Sequence, residues 1–260
     1  MPQLSAVELD EYARSYYLSG QVDDLDIEER AQRHSIPLIL RAVRGATSVL
    51  EMGYGTGLIT GELRRAGVPV EVVEGSPLLA AQARRDHPGL VVHEAMFEAF
   101  RPSEPAGAVL ALHVLEHVDE PRELVSHLRS WLAPDGRFVA VTPNARSLHR
   151  RVAVAMGLQD RYDTLSGRDH LVGHRRVYDL RGLRADLVAG GLETIDEFGY
   201  FVKPLANAQM ADWSEALLEG FNDVAGDVPA DLCANIGLVA TQPVATQPVG
   251  PAGRRREARA

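Results

Sequence analysis

The chain has 260 residues, of which 45% are hydrophobic and 24% charged, with a formal net charge of -9 at pH 7. An acidic globular chain of this kind argues against nucleic acid as a partner, because phosphate backbones are bound by clustered Lys and Arg. The single cysteine, Cys233, excludes an intramolecular disulfide and a cysteine-based metal site. Neither a signal-peptide core nor a run of about 18 apolar residues occurs. We therefore expect a cytoplasmic protein with no membrane partner.

The first half of the chain has the pattern of an α/β protein. Residues 1–47 have mixed charge and helical spacing, and we predict an N-terminal helical cap there. Between Ser48 and Thr142 short apolar runs alternate with segments of helical spacing; the runs are "SVLEM", "VPVEVVE", "LVVHE", "AVLALH" and "RFVAVT". Several runs are continuous, which is typical of strands covered on both faces. The alternation predicts crossover units and a parallel sheet.

Residues 143–176 interrupt this alternation with many Arg and His residues and no clear strand, and we predict a substrate-side insertion over one sheet edge. The pattern then resumes with a helix in "DLRGLRADLVAGG", a strand in "LETIDEFGYFV", a helix around 208–221 and a last strand in "LCANIGLVAT". We place the main domain at 48–241. The tail, 242–260, includes all but the first two residues of the repeat "ATQPVATQPV" and has little apolar content, so we expect it to be disordered.

The stretch "VLEMGYGTGLIT" places glycines at 53, 55 and 57 between the first strand and the next helix. The strand should end near Met52 and the helix should begin near Leu58. Glycine permits positive φ in such a turn and lets a ligand approach the main chain. The helix N-terminus adds free N–H groups. The turn therefore predicts a binding site at the carboxyl end of a parallel strand.

The neighbouring strand ends favour a nucleoside ligand. The spacing does not fit the dinucleotide pattern G-x-G-x-x-G, whose third position falls on Leu58 or Thr60. Glu74 ends the second strand, where an ionised carboxylate can accept both hydroxyls of a ribose. Met96 and Phe97 follow the third strand and form an apolar pair suited to an adenine ring. The glycine turn, Glu74 and the Met96–Phe97 pair occur at strand ends, in the order in which a nucleoside ligand would need them.

These residues resemble the class I S-adenosylmethionine-dependent methyltransferases. "VLEMGYGTG" looks like the first motif of that family and "VVEGSP" like its second-strand acid, while "AVLALHVLEHVDEP" and "LRSWLAPDGRFVAVTPN" look like its fourth and fifth strands. The nearest branch contains ubiquinone-biosynthesis O-methyltransferases and small-molecule methyltransferases of secondary metabolism. The resemblance implies an α/β fold with a Rossmann-like doubly wound sheet, mostly parallel with an antiparallel last strand, and helices on both faces.

The same resemblance implies S-adenosylmethionine as the cofactor. The glycines would pack against its methionine and ribose portions, Glu51 would hold the turn or meet the amino group, and Glu74 would bind the ribose. Tyr16 or Tyr17 could close over the cofactor. The implied cofactor-binding residues are Glu51, Gly53, Tyr54, Gly55, Gly57, Glu74, Gly75, Ser76, Met96, Phe97, Leu112 and His113.

Three histidines are the candidate catalytic residues. The sulfonium already activates the methyl group, so the protein must align a nucleophile and exclude water, and a hydroxyl acceptor also benefits from a histidine base. His113, at the tip of the fourth strand, and His117, four residues later, are candidates for base or substrate orienter. Each could instead be satisfied by backbone hydrogen bonds. His174 is the best candidate of the insertion, whose arginines would clamp a carboxylate or phosphate or else form a solvated basic loop.

We expect no metal site, because Asp169 and His170 are adjacent and no second carboxylate stands at ligand spacing. The leading hypothesis is methyl transfer to a small-molecule acceptor, with an oxygen of a hydroxyl or carboxylate as the first choice. N-methylation is the near alternative. An NAD or nucleotide-sugar enzyme and a non-catalytic cofactor-binding protein on a similar fold stay open, as does a homodimer.

Overall fold

The computed structural model describes residues 5–17 and 25–243. Within these residues, seven strands form one sheet: β1 Val49–Met52, β2 Val70–Glu74, β3 Val91–Glu94, β4 Ala106–Leu112, β5 Leu132–Pro143, β6 Glu193–Tyr200 and β7 Asn235–Thr241. The helices are α1 Ala6–Tyr16, α2 Leu25–Ala42, α3 Leu58–Arg65, α4 Pro77–Asp86, α5 Pro121–Arg129, α6 Leu148–Ala155, α7 Gly167–Leu171, α8 Leu180–Ala189, α9 Asn207–Met210 and α10 Glu215–Asp223.

The strand order is β3-β2-β1-β4-β5-β7-β6, with β1 to β5 parallel to one another and β7 antiparallel to both β5 and β6. The predicted fold class, including the antiparallel last strand, is confirmed. The direction of winding reverses between β1 and β4. At such a reversal the connections after the two strands diverge and leave a crevice at their carboxyl ends, which is where open α/β sheets bind ligands.

Each face of the sheet carries its own apolar core. Along β1, Val49 belongs to one core and Leu50 to the other, because successive strand residues point to opposite faces. Trp131 and Phe138 lie wholly buried in the second core. All four residues of β1 are buried, as expected for a central strand with helices on both sides.

Two segments differ from the sequence-based expectations. The helix expected around 208–221 is two helices, α9 and α10, because Ser214 caps a new N-terminus through the backbone N–H of Leu217. The predicted insertion contains α6 and α7, and Asn144 at its start forms an isolated parallel bridge with Tyr178 just beyond its end.

Parts of the predicted cap and tail lie outside the described residues, namely 1–4, 18–24 and 244–260, which include most of the tail repeat. The domain boundaries therefore stay a prediction. Among the described residues, no helix has both the length and the apolar character needed to cross a bilayer.

Candidate active site

A cavity of about 1730 Å³ opens at the carboxyl ends of β1, β2 and β4. The helices α1, α2 and α6 and the loop after β6 also contribute to its wall. The sequence-predicted site residues on its wall are Glu51, Gly53, Tyr54, Gly55, Glu74, Gly75, Ser76, Met96, Phe97, Leu112, His113, His117 and His174. The remaining one, Gly57, ends the turn at the start of α3 and is not part of this wall. The fold therefore brings together residues that are separated along the chain.

The glycine turn has the backbone conformation that its sequence predicts. β1 ends at Met52 and α3 begins at Leu58, and Gly53, Gly55 and Gly57 have φ of 80°, 55° and 78°. Other L-residues rarely adopt these values. A Cβ on Gly53 would meet open space, whereas one on Gly57 would overlap the ring of Tyr54. Gly53 thus leaves bare backbone toward the cavity, and Gly57 permits close packing inside the turn.

Two buried carboxylates hold this turn. Glu74 accepts hydrogen bonds from the backbone N–H groups of Tyr54 at 2.8 Å and Ser76 at 2.7 Å, one on each oxygen. Glu51 accepts a hydrogen bond from the Thr60 hydroxyl at 2.6 Å. Burial raises the pKa of Glu51 to about 8 and also raises the pKa of Glu74, although backbone hydrogen bonds oppose the latter shift. A cationic ligand would stabilise both carboxylates in their ionised form.

The helix α1 covers the glycine turn. Asp10 accepts hydrogen bonds from the Ser76 hydroxyl and from the backbone N–H of Leu78, and so ties α1 to the first turn of α4. The ring of Tyr17 lies 3.9 Å from the position that a Cβ on Gly55 would occupy. Tyr12, Tyr16 and Tyr17 form one aromatic cluster with ring centroids 5.0–5.8 Å apart. Both tyrosines proposed from the sequence therefore line the cavity, and Asp10 is an anchor that the sequence did not indicate.

Gly75 is packed between α1 and the segment after β3. A Cβ there would lie 2.8 Å from Leu9 Cδ1 and 3.1 Å from Met96 Sδ. Phe97 packs against the second core and also lines the cavity. Met96 therefore lies beside the residue that follows Glu74, and Phe97 lines the same cavity.

His113 lies at the centre of a hydrogen-bonded group of three side chains. Its Nδ1 is 3.2 Å from Glu116 Oε1, and its Nε2 is 3.0 Å from Tyr200 Oη. Its φ of 56° is unusual for a residue other than glycine, and such outliers cluster at functional sites. Burial lowers the pKa of His113, but Glu116 and Glu28 outweigh burial and leave it above its ordinary value. Glu116 and Tyr200 were missed by the sequence reasoning.

Glu116 could have been found from the sequence, because it lies three residues after His113 in "HVLEHV". Tyr200 had no such local signal. It belongs to β6, and it approaches His113 only because the sheet places the ends of β4 and β6 on the same cavity.

The rings of His117 and His174 are in contact with each other on the cavity wall. Their ring centroids are 4.8 Å apart at an angle of 71°. His117 lies in a turn, with its N–H donated to the Val114 carbonyl, and α5 begins only at Pro121, so the helix has not begun at His117. His174 Nδ1 is 2.8 Å from Asp169 Oδ1. Ligand atoms of Glu116, His117 and His174 all lie within 4.8 Å of one another.

Three arginines of the predicted insertion support the cavity wall. Arg150, 7% exposed, donates to the carbonyl of Thr164 at 2.9 Å and to Asp169 Oδ2 at 2.6 Å. Arg175 donates from Nε to the His117 carbonyl at 2.7 Å, and Arg176 donates to the Leu115 carbonyl at 3.1 Å. These guanidinium groups hold backbone and carboxylate groups of the protein.

The cavity wall contains a second polar group, formed by Glu28, Lys203 and Asn207. Asn207 donates from Nδ2 to Glu28 Oε1 at 2.6 Å, and Lys203 Nζ lies 3.8 Å from the same oxygen. Burial raises the pKa of Glu28, but Lys203 and Asn207 outweigh burial and leave it below its ordinary value. Burial and Lys203 lower the pKa of His149 to about 3, so this imidazole is neutral near pH 7.

Comparison with known proteins gives the family. A family model described as a methyltransferase domain matches residues 27–197, more than half of the chain. The chain is 29% identical over 174 residues to a trans-aconitate 2-methyltransferase of Klebsiella pneumoniae, a match covering 64% of each chain. It is 26% identical over 117 residues to the mitochondrial ubiquinone biosynthesis O-methyltransferase of Schizosaccharomyces pombe, covering 42% of each. The chain thus matches less than two thirds of the length of these relatives.

Solved structures show the same fold. An S-adenosylmethionine-dependent methyltransferase from Mesorhizobium loti aligns with a TM-score of 0.59 at 16% identity, over 82% of this chain and 99% of that one. The N-methyltransferase NodS from Bradyrhizobium japonicum, solved with S-adenosyl-L-homocysteine, aligns with a TM-score of 0.55 at 12% identity, over 92% and 98%. The chain therefore belongs to the methyltransferase family, and its predicted resemblance to the S-adenosylmethionine-dependent members is confirmed.

Proposed function

We propose that the protein transfers the methyl group of S-adenosylmethionine to a hydroxyl oxygen of a small-molecule acceptor, with His113 as the general base. The observation that carries this proposal is the group formed by His113, Glu116 and Tyr200 on the wall of the same cavity as the glycine turn. The cavity, about 1730 Å³, exceeds the roughly 300–1,000 Å³ of a typical ligand pocket, so it has room for cofactor and acceptor together.

The proposed cofactor fits the polar groups at the glycine turn. The two oxygens of Glu74 accept the backbone N–H groups of Tyr54 and Ser76, and a carboxylate has about four lone-pair sites with which it could also accept ribose hydroxyls. The buried carboxylates Glu51 and Glu74 favour a ligand that carries positive charge, as the sulfonium and amino groups of the cofactor do. The cofactor supplies the activated methyl group, and the protein supplies alignment and the base.

The proposed proton path uses this chain's own residues. Glu116 Oε1 accepts the N–H at Nδ1 of His113, which leaves Nε2 to accept the acceptor's hydroxyl proton as the oxygen attacks the methyl carbon. The Glu116 carboxylate then stabilises the resulting imidazolium. Tyr200, at 3.0 Å from Nε2, holds the imidazole ring in place until the acceptor binds.

A hydroxyl acceptor is favoured over a carboxylate because several cationic side chains at or behind the cavity wall are already engaged by groups of the protein. Arg150, Arg175 and Arg176 donate to carbonyl and carboxylate groups of the protein, and Lys203 lies beside Glu28. A di- or tricarboxylate acceptor would have to compete with these contacts, whereas a neutral hydroxyl would not.

The substitution His113→Asn tests this role. Asparagine tolerates positive φ, so the backbone after β4 should be kept. With labelled cofactor and a panel of hydroxylated, carboxylated and amino metabolites, we expect kcat for the hydroxylated acceptor to fall by about 10²–10⁴-fold. We expect affinity for S-adenosylhomocysteine to be unchanged in calorimetric titration. His170→Asn, at an exposed position, is the control. Equal kcat in parent and His113→Asn would contradict the role of His113.

N-methylation is the second candidate, and the ionised carboxylate of Glu28 on the cavity wall favours it, because it could hold a protonated amine. Turnover of amines alone in the same panel would establish it. Tight binding of NAD, with none of S-adenosylhomocysteine, would instead support the dinucleotide alternative. Cofactor binding without turnover of any acceptor would support a binding protein. A cytoplasmic location, a homodimer and the absence of nucleic-acid and membrane partners stay predictions from the sequence.

A further inference from the structure

We propose that Glu116, His117 and His174 bind one divalent transition-metal ion at the wall of the cavity. Each residue offers one ligand atom, and these atoms all lie within 4.8 Å of one another. A tetrahedral ion with bonds of about 2.1 Å holds its ligand atoms about 3.4 Å apart. The most separated ligand atoms must therefore approach each other by up to about 1.4 Å, which rotation of the three side chains can supply.

Glu116 has an oxygen that a cation would satisfy. The side chain is fully buried, and its Oε1 is engaged by His113. Its Oε2 is also buried and has no hydrogen-bond partner among the described residues. A buried carboxylate oxygen without a partner is costly, so such atoms usually indicate a bound ion or water.

His174 is oriented as a metal-ligating histidine usually is. His174 Nδ1 contacts Asp169 Oδ1 at 2.8 Å, and Asp169 is itself held by Arg150 and by the Ser166 hydroxyl. Nε2 of His174 therefore remains for a metal, and the ring of His117 lies edge-on to the His174 ring with the centroids 4.8 Å apart. A carboxylate or carbonyl behind the ligating imidazole is the usual arrangement, because it fixes the tautomer and raises the basicity of the ring.

Hydrogen bonds from Arg175 hold the segment that contains His174 against the segment that contains Glu116 and His117. Arg175 donates its backbone N–H to the Glu116 carbonyl at 2.8 Å and its Nε to the His117 carbonyl at 2.7 Å. Arg175, which follows His174, is therefore hydrogen-bonded to both Glu116 and His117. The three ligands do not depend on an ion to be brought together, which favours binding because the ordering cost is already met.

The donor set selects the kind of ion. Two imidazole nitrogens and one carboxylate oxygen suit Zn²⁺ and the neighbouring first-row metals, whereas Mg²⁺ and Ca²⁺ prefer oxygen ligands. Three protein ligands leave a coordination position for a substrate oxygen, as in catalytic zinc sites. Because His117 and His174 line the cavity, an ion there could bind an acceptor oxygen and lower its pKa. Only this last role rests on the proposed function.

The test is metal binding by the full chain, prepared without a polyhistidine tag and stripped with a chelator. Calorimetric titration with Zn²⁺, followed by elemental analysis of the dialysed protein, should give one ion per chain. We expect His117→Asn and His174→Asn each to weaken Zn²⁺ binding at least about 100-fold, which is about 2.8 kcal/mol. The matched control His170→Asn changes an exposed histidine four residues before His174 and should leave binding unchanged. Mg²⁺ should bind much more weakly than Zn²⁺.

Titration with S-adenosylhomocysteine shows that each variant is folded, and no acceptor is needed. Absence of Zn²⁺ binding by the parent would overturn the proposal, and so would parent-like affinity in both His117→Asn and His174→Asn. An equal loss in His170→Asn would overturn it as well. One bound Zn²⁺ in a chain that methylates no acceptor would still support the site while contradicting the proposed function.

Discussion

Two glycines make it possible to separate the effect of backbone conformation on stability from the effect of ligand contact on binding. Gly53 and Gly67 both have positive φ, 80° and 73°, and a Cβ on either would meet no atom within 4 Å. Gly53 faces the cavity, whereas Gly67 follows α3 and does not line it. The two positions therefore form a matched pair in which strain is similar and proximity to the ligand differs.

We expect Gly53→Ala and Gly67→Ala each to lower the free energy of unfolding by about 1–2 kcal/mol, because L-residues disfavour the left-handed region. Gly53→Ala alone should also weaken binding of S-adenosylhomocysteine, since its methyl group occupies the ligand's space. Urea denaturation and calorimetric titration measure the two effects. Undiminished cofactor affinity in Gly53→Ala would argue against a ligand at this turn.

The buried carboxyl group of Glu51 makes stability depend on pH. Its pKa is raised to about 8 in the folded protein, against 4.5 for an unperturbed glutamate. The folded state therefore binds the proton more tightly, and its stability falls as pH rises from about 4.5 to about 8. Glu51→Gln removes this titration and keeps an acceptor for Thr60.

We thus expect the stability of Glu51→Gln relative to the parent to increase by up to a few kcal/mol between pH 5 and pH 8. Thermal unfolding across that range, without cofactor, measures the difference. Glu104→Gln, at an exposed loop position, should show no such trend. A constant difference between Glu51→Gln and the parent would show that the carboxyl group is ionised throughout.

At the scale of elements, the side chain of Asp10 hydrogen-bonds α1 to the start of α4. Asp10 bonds Ser76 and Leu78 at the start of α4, and these contacts place the tyrosine cluster over the glycine turn. The central sheet does not depend on them, because α1 contributes only Ala13 to the buried residues.

We expect Asp10→Ala to release α1 and weaken binding of S-adenosylhomocysteine by about tenfold, which is about 1.4 kcal/mol, while changing the midpoint of urea unfolding little. Hydrogen exchange should rise in residues 6–16. Glu11→Ala, on an exposed residue of the same helix, is the control. Unchanged exchange and affinity in Asp10→Ala would show that other contacts hold α1.

At the scale of the whole molecule, β7 joins the edge strand β6 to the rest of the sheet. It pairs with both β5 and β6, and Gly237 lies opposite Val141 on one side and Phe198 on the other. A Cβ on Gly237 would overlap the ring of Phe198, which is buried. The antiparallel strand therefore fits only with a glycine at this point.

Gly237→Ala should lower the free energy of unfolding by about 1–3 kcal/mol through overpacking. Circular dichroism and tryptophan fluorescence should shift together in urea, because both cores share the sheet and should unfold in one transition. Gly226→Ala, whose Cβ would meet open space, should cause little change. Separate transitions for the two signals would show that the β6–β7 edge unfolds independently.

Several elements could be predicted because their causes are local. The turn from Met52 to Leu58 follows from glycine's access to positive φ, and the strands follow from short apolar runs between turns. The break between α9 and α10 was not predicted, because helical spacing continues across it and only the cap at Ser214 interrupts the helix. The two short helices of the insertion lacked a clear pattern and depend on tertiary contacts such as Arg150 with Asp169.

Sequence pattern alone therefore decided the fold class, the family resemblance and the glycine turn at the carboxyl end of β1. These follow from backbone conformation and from the spacing of apolar residues, which act over a few positions. Tertiary structure decided that Tyr200 meets His113 and that His174 meets Glu116 and His117. Contacts between residues far apart in the chain depend on strand order and on how the insertion folds back, and no local pattern encodes either.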